Sequence, residues 1–222
     1  MGAMRRARAL LTALALGLAL AGCGSVSEEY DIAGIDELDI PTPSPDPADF
    51  VAEIDNPWLP YAVGNAWVYD VTVGITDSTM TVEVTEDTRT IAGVVTTAVD
   101  TTYATADTPG TVRDYYAQDR QGNVWWFGSE GSWEAGVDGA QAGLAMPADP
   151  RLGDGWRRAY LEGVVETTVT VEEVDGDTLV LRSETPLVPG EVVQEVYAAG
   201  VGLERTFNVE GAPRSSVLAS GP

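Results

Sequence analysis

From Asn56 onward, apolar and polar residues alternate in short runs, and this period of two constrains the fold more than any other feature. Met80, Val82 and Val84 alternate with Thr81, Glu83 and Thr85, and Val169 and Val171 with Thr168, Thr170 and Glu172. A period of two puts all the apolar side chains of a segment on one face of an extended chain, which describes a half-buried strand. Val and Thr dominate these runs, as pleated surfaces prefer. Turn signals separate them: Ala92-Gly93, Thr108-Pro109-Gly110, Gln121-Gly122-Asn123, Asp175-Gly176-Asp177 and Pro189-Gly190. Short turns between neighbouring strands imply antiparallel hairpins. Strands are expected near 66–74, 79–88, 94–103, 111–118, 123–128, 156–161, 164–174, 178–184, 191–197 and 202–209, with a last one near 214–219. No helical period occurs after residue 55. The expected class is all-β: one antiparallel meander forming a strongly curved sheet, a half-open or closed barrel, because closure removes exposed edges.

One stretch breaks the rhythm. Gly128 to Gly155 is rich in glycine, carries Pro147 and Pro150, and shows no clean alternation. It reads as a loop of about 25 residues, a length uncommon in compact domains. It either serves the function or closes one end of the sheet.

The chain before the sheet reads as an address. Arg5, Arg6 and Arg8 precede an apolar run, Ala9 to Ala21, that is too short to span a bilayer and ends in small residues. Residues 1–22 therefore read as an export signal. Cys23, the single cysteine, closes Leu20-Ala21-Gly22-Cys23. That ending resembles the bacterial lipobox, in which the thiol receives diacylglycerol and the chain is cut before the cysteine. Two or three acyl chains, palmitate among them, would anchor the protein stably to a membrane on its extracytoplasmic side. Residues 23–55 read as the lipidated cysteine and an acidic, Pro-rich tether, and 56–222 as the β domain. Asp46-Pro47 is expected to start a short helix reaching Ile54, with Asp46 as its cap.

Charge and composition exclude several functions. The chain has 35 acidic residues, 12 basic ones (all Arg), no histidine and a formal charge of −23. Loss of residues 1–22 would take that to −26. Such a field argues against nucleic acid as a partner and leaves open whether cationic ligands are attracted. Without histidine, and with the one thiol assigned to lipid, Ser-His-Asp and Cys-His catalysis and His- or Cys-based zinc sites are excluded. No EF-hand spacing is present. No cofactor and no metal site is expected.

Several motifs recur in a fixed order: Asn56-Pro-Trp-Leu-Pro60, Tyr116-Ala-Gln-Asp-Arg-Gln-Gly-Asn-Val-Trp-Trp-Phe-Gly128, Ser132-Trp-Glu-Ala-Gly-Val-Asp-Gly-Ala140 and Met146-Pro-Ala148. Together they resemble a broad family of uncharacterised bacterial exported β-rich proteins and lipoproteins of about 200 residues, over roughly 55–210. The resemblance implies an exported β domain and names no reaction. Two departures from the family pattern stand out, a shortened hairpin after Gly128 and the stretch Trp156-Arg-Arg-Ala-Tyr160.

The candidate ligand contacts are aromatic and acidic. With a turn centred on Gln121, Tyr116 should face Trp126 and Tyr115 should face Phe127 across a hairpin. Trp125, Trp126 and Phe127 are consecutive, so rings must point to both faces; one face is core, and the other is covered by the 129–155 loop or binds a ligand. Trp58, Trp67 and Trp133 extend the candidate set. Glu134 and Asp138 add two carboxylates in the Gly-rich loop, as ligand contacts or, for a hydrolase, as an acid/base pair. Arg89, Arg157 and Arg158 could meet an anion, but arginines in so acidic a chain more often neutralise neighbours. Three functions stay open: a non-enzymatic binding module for an apolar or glycan ligand, an interaction subunit with an envelope protein partner, and a carboxylate-dependent hydrolase.

Overall fold

The computed structural model describes residues 46–104 and 110–222. The export signal, Cys23, the tether up to residue 45 and part of the turn around Pro109 lie outside the described residues. Among the described residues, fourteen strands form one sheet. The first six are β1 (Phe50–Val51), β2 (Ala66–Val73), β3 (Thr76–Ile91), β4 (Val94–Ala104), β5 (Gly110–Asp119) and β6 (Val124–Ser129). Two short ones follow, β7 (Trp133–Glu134) and β8 (Gly143–Met146). The last six are β9 (Gly155–Leu161), β10 (Val165–Asp175), β11 (Thr178–Glu184), β12 (Val192–Ala198), β13 (Gly202–Glu210) and β14 (Arg214–Ser220).

The chain is an all-β antiparallel meander that curls almost into a barrel. The strand order is β7-β6-β5-β4-β3-β2-β14-β13-β12-β11-β10-β9, with β8 beside β6 and β1 beside β5. The ladder is thus sealed where the first long strand meets the last, Arg214 facing Val73 and Val217 facing Asp70. The unsealed seam falls mid-chain, between β8 and β9, where Gln141 N–H donates to the Tyr160 carbonyl in a lone bridge. Gly143 permits the close approach at that seam, because a Cβ there would overlap the Arg158 carbonyl.

The stretch expected to be one long loop, 129–155, contains both short strands. β7 pairs with Gly128 and Ser129, and β8 with Val124 to Trp126, so the segment runs back along the edge of β6. Ala135, Ala140, Ala142, Leu144, Ala145 and Met146 are buried. A segment buried on both faces has no polar alternation to read.

The expected Tyr116–Trp126 pair is present, but a bulge between Tyr115 and Tyr116 sets Tyr115 opposite Gly128 rather than Phe127. Tyr115, Trp125 and Phe127 point outward and pack under Ala135, Ala142, Leu144 and Phe50, so the returning segment covers that face. Tyr116 and Trp126 point inward.

Residues 46–65 close one end of the barrel. The helical turn is a 3-10 helix, Pro47–Asp49, capped by Asp46 and shorter than the sequence suggests, because Phe50 and Val51 leave it to pair with Asp119 and Gln118. Ile54, Trp58 and Leu59 then enter the barrel core with Val124, Met146, Leu179 and Tyr197. Backbone contacts tie this segment to the turns at that end: Arg120 N–H donates to the Asp49 carbonyl and Gly200 N–H to that of Pro57. Among the described residues, no comparable segment crosses the other end.

Candidate binding chamber

Five aromatic rings run in sequence through the barrel. Trp67 meets Tyr61 edge-on at 5.7 Å, Tyr61 meets Tyr116 edge-on at 5.2 Å, Tyr116 stacks on Trp126 at 6.2 Å, and Trp126 meets Trp133 edge-on at 5.1 Å. Alternation positions them: Trp67, Tyr116 and Trp126 each occupy an inward register on β2, β5 and β6. The terminal rings, Trp67 and Trp133, are buried, whereas Tyr61, Tyr116 and Trp126 are half-buried. Burial nevertheless raises the pKa of the Tyr61 and Tyr116 phenols, most for Tyr116. Rings that keep accessible surface in so desolvated a place line a hollow rather than the outer surface.

Polar groups face the same hollow. Arg158 lies at a β-bulge, where Ala159 pairs with Thr167 and Arg157 with Thr168, leaving Arg158 as the extra residue. Bulges re-aim side chains, and this one turns the guanidinium inward. There it forms a bidentate pair with Glu195, Nη1 to Oε1 at 2.7 Å and Nη2 to Oε2 at 2.8 Å. Tyr197 donates its hydroxyl to Glu195 Oε2 at 2.7 Å. Desolvation opposes both charges, but each stabilises the other, so the carboxyl sits below its ordinary range and the guanidinium above its own.

Asp114 is different. It lies opposite Val99 on β4 and Ser129 on β6, two residues from Tyr116 on the same inward face. Burial pushes its carboxyl up to about 6, although Ser129 and Trp126 pull the other way. Three buried side-chain polar atoms among the described residues lack a hydrogen-bond partner: Asp114 Oδ1, Trp156 Nε1 and Arg158 Nε. Arg158 and Asp114 both act electrostatically on the Tyr61 and Tyr116 phenols, so the two orphaned groups border the same rings. Nearer the uncovered end, a cavity of about 220 Å³ is lined by Val71, Met80, Val193, Leu203, Thr206 and Ser216 among others.

The other sequence candidates fall elsewhere. Trp58 is part of the packed closed end, where its backbone N–H donates to Asn56 Oδ1. Trp67 donates its indole N–H to the Val201 carbonyl. Glu134 is paired with Arg89 at the barrel exterior, and Asp138 is exposed in a turn at φ 51°. Arg157 lies over the Tyr160 ring at 4.2 Å. The residues that sequence reasoning passed over are Tyr61, Asp114, Trp156, Glu195 and Tyr197. Inward alternation marks Glu195 and Tyr197 as one face of β12, but it cannot show what lies opposite them.

No family model matches the chain, and no curated protein matches it. Among solved structures, it is similar to a Bacteroides fragilis protein classed as exported with a YmcC-like fold. That likeness has a TM-score of 0.39 and 14% identity, over 74% of this chain and 98% of the other. A Parabacteroides distasonis protein classed as a lipoprotein gives a TM-score of 0.36 and 13% identity, again over 74% and 98%. Values this low define neither a family nor an activity.

Proposed function

We propose that the protein is an exported, lipid-anchored binding module that holds an apolar or glycan ligand on the concave face of its barrel. The observation that carries this reading is the half-buried Tyr61–Tyr116–Trp126 ring series with orphaned Asp114 and Arg158 atoms beside it. Ligand sites are concave, largely apolar and aromatic, with a few convergent polar groups that fix orientation. Such groups are costly to bury unpaired, and a bound molecule that hydrogen-bonds to them offsets that cost. The export signal and the lipobox-like Cys23 support the location, and the acidic exterior suits a domain held off an anionic membrane surface. The reading assigns no reaction to the chamber. Glu134, engaged by Arg89, and Asp138, exposed in its turn, give no support to an acid/base pair.

The test is mass spectrometry of the native protein taken from its own membrane, with solvent extraction of what co-purifies. A stoichiometric lipid or glycan that Trp126→Ala releases is the expected result. An empty protein bound to one fixed envelope partner would overturn the reading in favour of an interaction subunit. A Cys23 peptide without acyl mass would overturn the anchor.

A further inference from the structure

The charges that face the chamber do not balance. Arg158 is matched by Glu195 through two hydrogen bonds, and Tyr197 takes up a further lone pair of that carboxylate. Among the described residues no basic side chain pairs with Asp114, and its Oδ1 accepts from none of them. Its surroundings are Val99 and Tyr103 from β4, Tyr116 from its own strand, Trp126 and Ser129 from β6, and Tyr61. Asp100, itself anionic and engaged by Arg113, adds repulsion rather than relief. Glu191 and Arg214 at the cavity nearer the uncovered end add one charge of each sign, so Asp114 is the carboxylate left without a matching cation, beside a set of phenol and indole rings.

Aromatic faces attract a cation placed within about 6 Å of the ring centre, and the attraction grows when the site is desolvated. A carboxylate among aromatic rings supplies what an ammonium group needs. A metal ion would be served less well: calcium takes about six to eight oxygen ligands, more than one carboxylate and the few hydroxyls around it supply. The long-range field agrees, since a chain of formal charge −23 concentrates cations and repels anions at its openings.

We propose that the chamber recognises an organic cation, a primary or quaternary ammonium group seated against Asp114 and enclosed by Tyr61, Tyr116 and Trp126. The rest of the ligand, apolar or glycan, would extend toward the cavity walled by Val71, Met80 and Leu203. This inference rests on the chamber being a binding site and adds the charge of what enters it.

The experiment uses the whole exported chain with Cys23→Ser, which keeps every described residue and removes the acylation site. Benzyltrimethylammonium is titrated calorimetrically at about pH 8 and about pH 5, with benzenesulfonate and benzyl alcohol as anionic and neutral comparators. Saturable one-to-one binding of the cation alone is expected at the higher pH. Affinity should fall about tenfold at the lower pH, as the carboxylate becomes largely protonated. Asp114→Asn should weaken binding at least about tenfold while raising the melting temperature at the higher pH. A purely structural Asp114 would not give that combination. Trp126→Leu should weaken binding without the rise. Equal affinity in Asp114→Asn, or no saturable cation binding by the parent chain, would overturn the proposal. If the cation fails while a neutral lipid or glycan co-purifies and is released by Trp126→Ala, the binding-module reading stands and the cation falls; if neither binds, both fall.

Discussion

Asp114 and Asp119 sit five residues apart on β5, yet the protein treats the two carboxylates in opposite ways. Asp119, at the closed end, is buried and fully engaged. It accepts from the Gln121 and Asn123 backbone N–H groups, the Asn123 side chain and the Trp125 indole, each at 2.9 Å in its shortest contact. Asn56 beside it is equally occupied, donating to the Gly122 and Pro147 carbonyls and accepting from the Trp58 and Leu59 N–H groups. Asp114, in the chamber, keeps an unpartnered oxygen and a raised pKa. A buried polar group that is fully bonded holds a fold together, whereas one left open costs stability that packing elsewhere must offset. The contrast separates the part of the barrel whose polar groups are committed to stability from the part that leaves polar groups open. An open groove of about 540 Å³ beside the closed end, lined by Asp55, Gln118 and Asp119, belongs with the first kind. Gln118 is already bonded to Asp55 and to the Asn56 N–H.

The comparison breaks most readily at Asp119. Asp119→Ala would strand several buried donors at once, each costing about 1–3 kcal/mol. A loss of about 4 kcal/mol is expected, read as a fall in the urea midpoint with unchanged slope. A loss below about 1 kcal/mol would mean that the closed end is no more committed than the chamber. Arg158→Ala is next. It leaves Glu195 buried without its partner, and about 3 kcal/mol should be lost. Replacing both partners, Arg158→Met with Glu195→Leu, should recover most of that, because two apolar groups bury no unpaired charge.

The sequence made the strands legible and the chamber mostly illegible, for one physical reason. A period of two is local, so β2 to β6 and β9 to β14 could be read to within a few residues from alternating Val and Thr. β8 escaped because Gly143, Leu144, Ala145 and Met146 are all buried, so nothing alternates, and β7 because its two residues, Trp133 and Glu134, are too few to show a period. Trp126 and Tyr116 were legible as a pair because they share a hairpin. Arg158 and Glu195 are 37 residues apart and meet because β9 bulges, an event that no spacing rule announces. Asp114 was hidden for a further reason: one acid among 35 is singled out only by what fails to face it.

Asp114→Asn sharpens the contrast with a smaller effect of opposite sign. The carboxyl titrates at about 6 in the folded protein against an ordinary value of 3.8. Between those values the unfolded chain has released a proton that the folded chain still holds, so stability from this group is full below about pH 4 and is lost as pH rises through 6. Asparagine does not ionise. The variant should match the parent near pH 4 and exceed it by about 2–3 kcal/mol at about pH 8, by urea denaturation at each pH. A variant less stable than the parent at every pH would place Asp114 with Asp119.

The smallest effect is expected at Glu134, where the Gly-rich loop carries the acid that invites a catalytic reading. Its partner Arg89 is nearly half exposed and also lies over the Tyr115 ring at 5.4 Å, so the guanidinium keeps a second contact when the carboxylate goes. Exposed ion pairs are largely screened by solvent and salt. Glu134→Gln should therefore leave the urea midpoint unchanged within error and leave the co-purifying ligand in place. The same substitution is informative only because Asp114→Asn is not silent. If Glu134→Gln released the ligand while Asp114→Asn retained it, the exterior of the returning loop would be the recognition surface, and the open polar groups of the chamber would need a purely structural account.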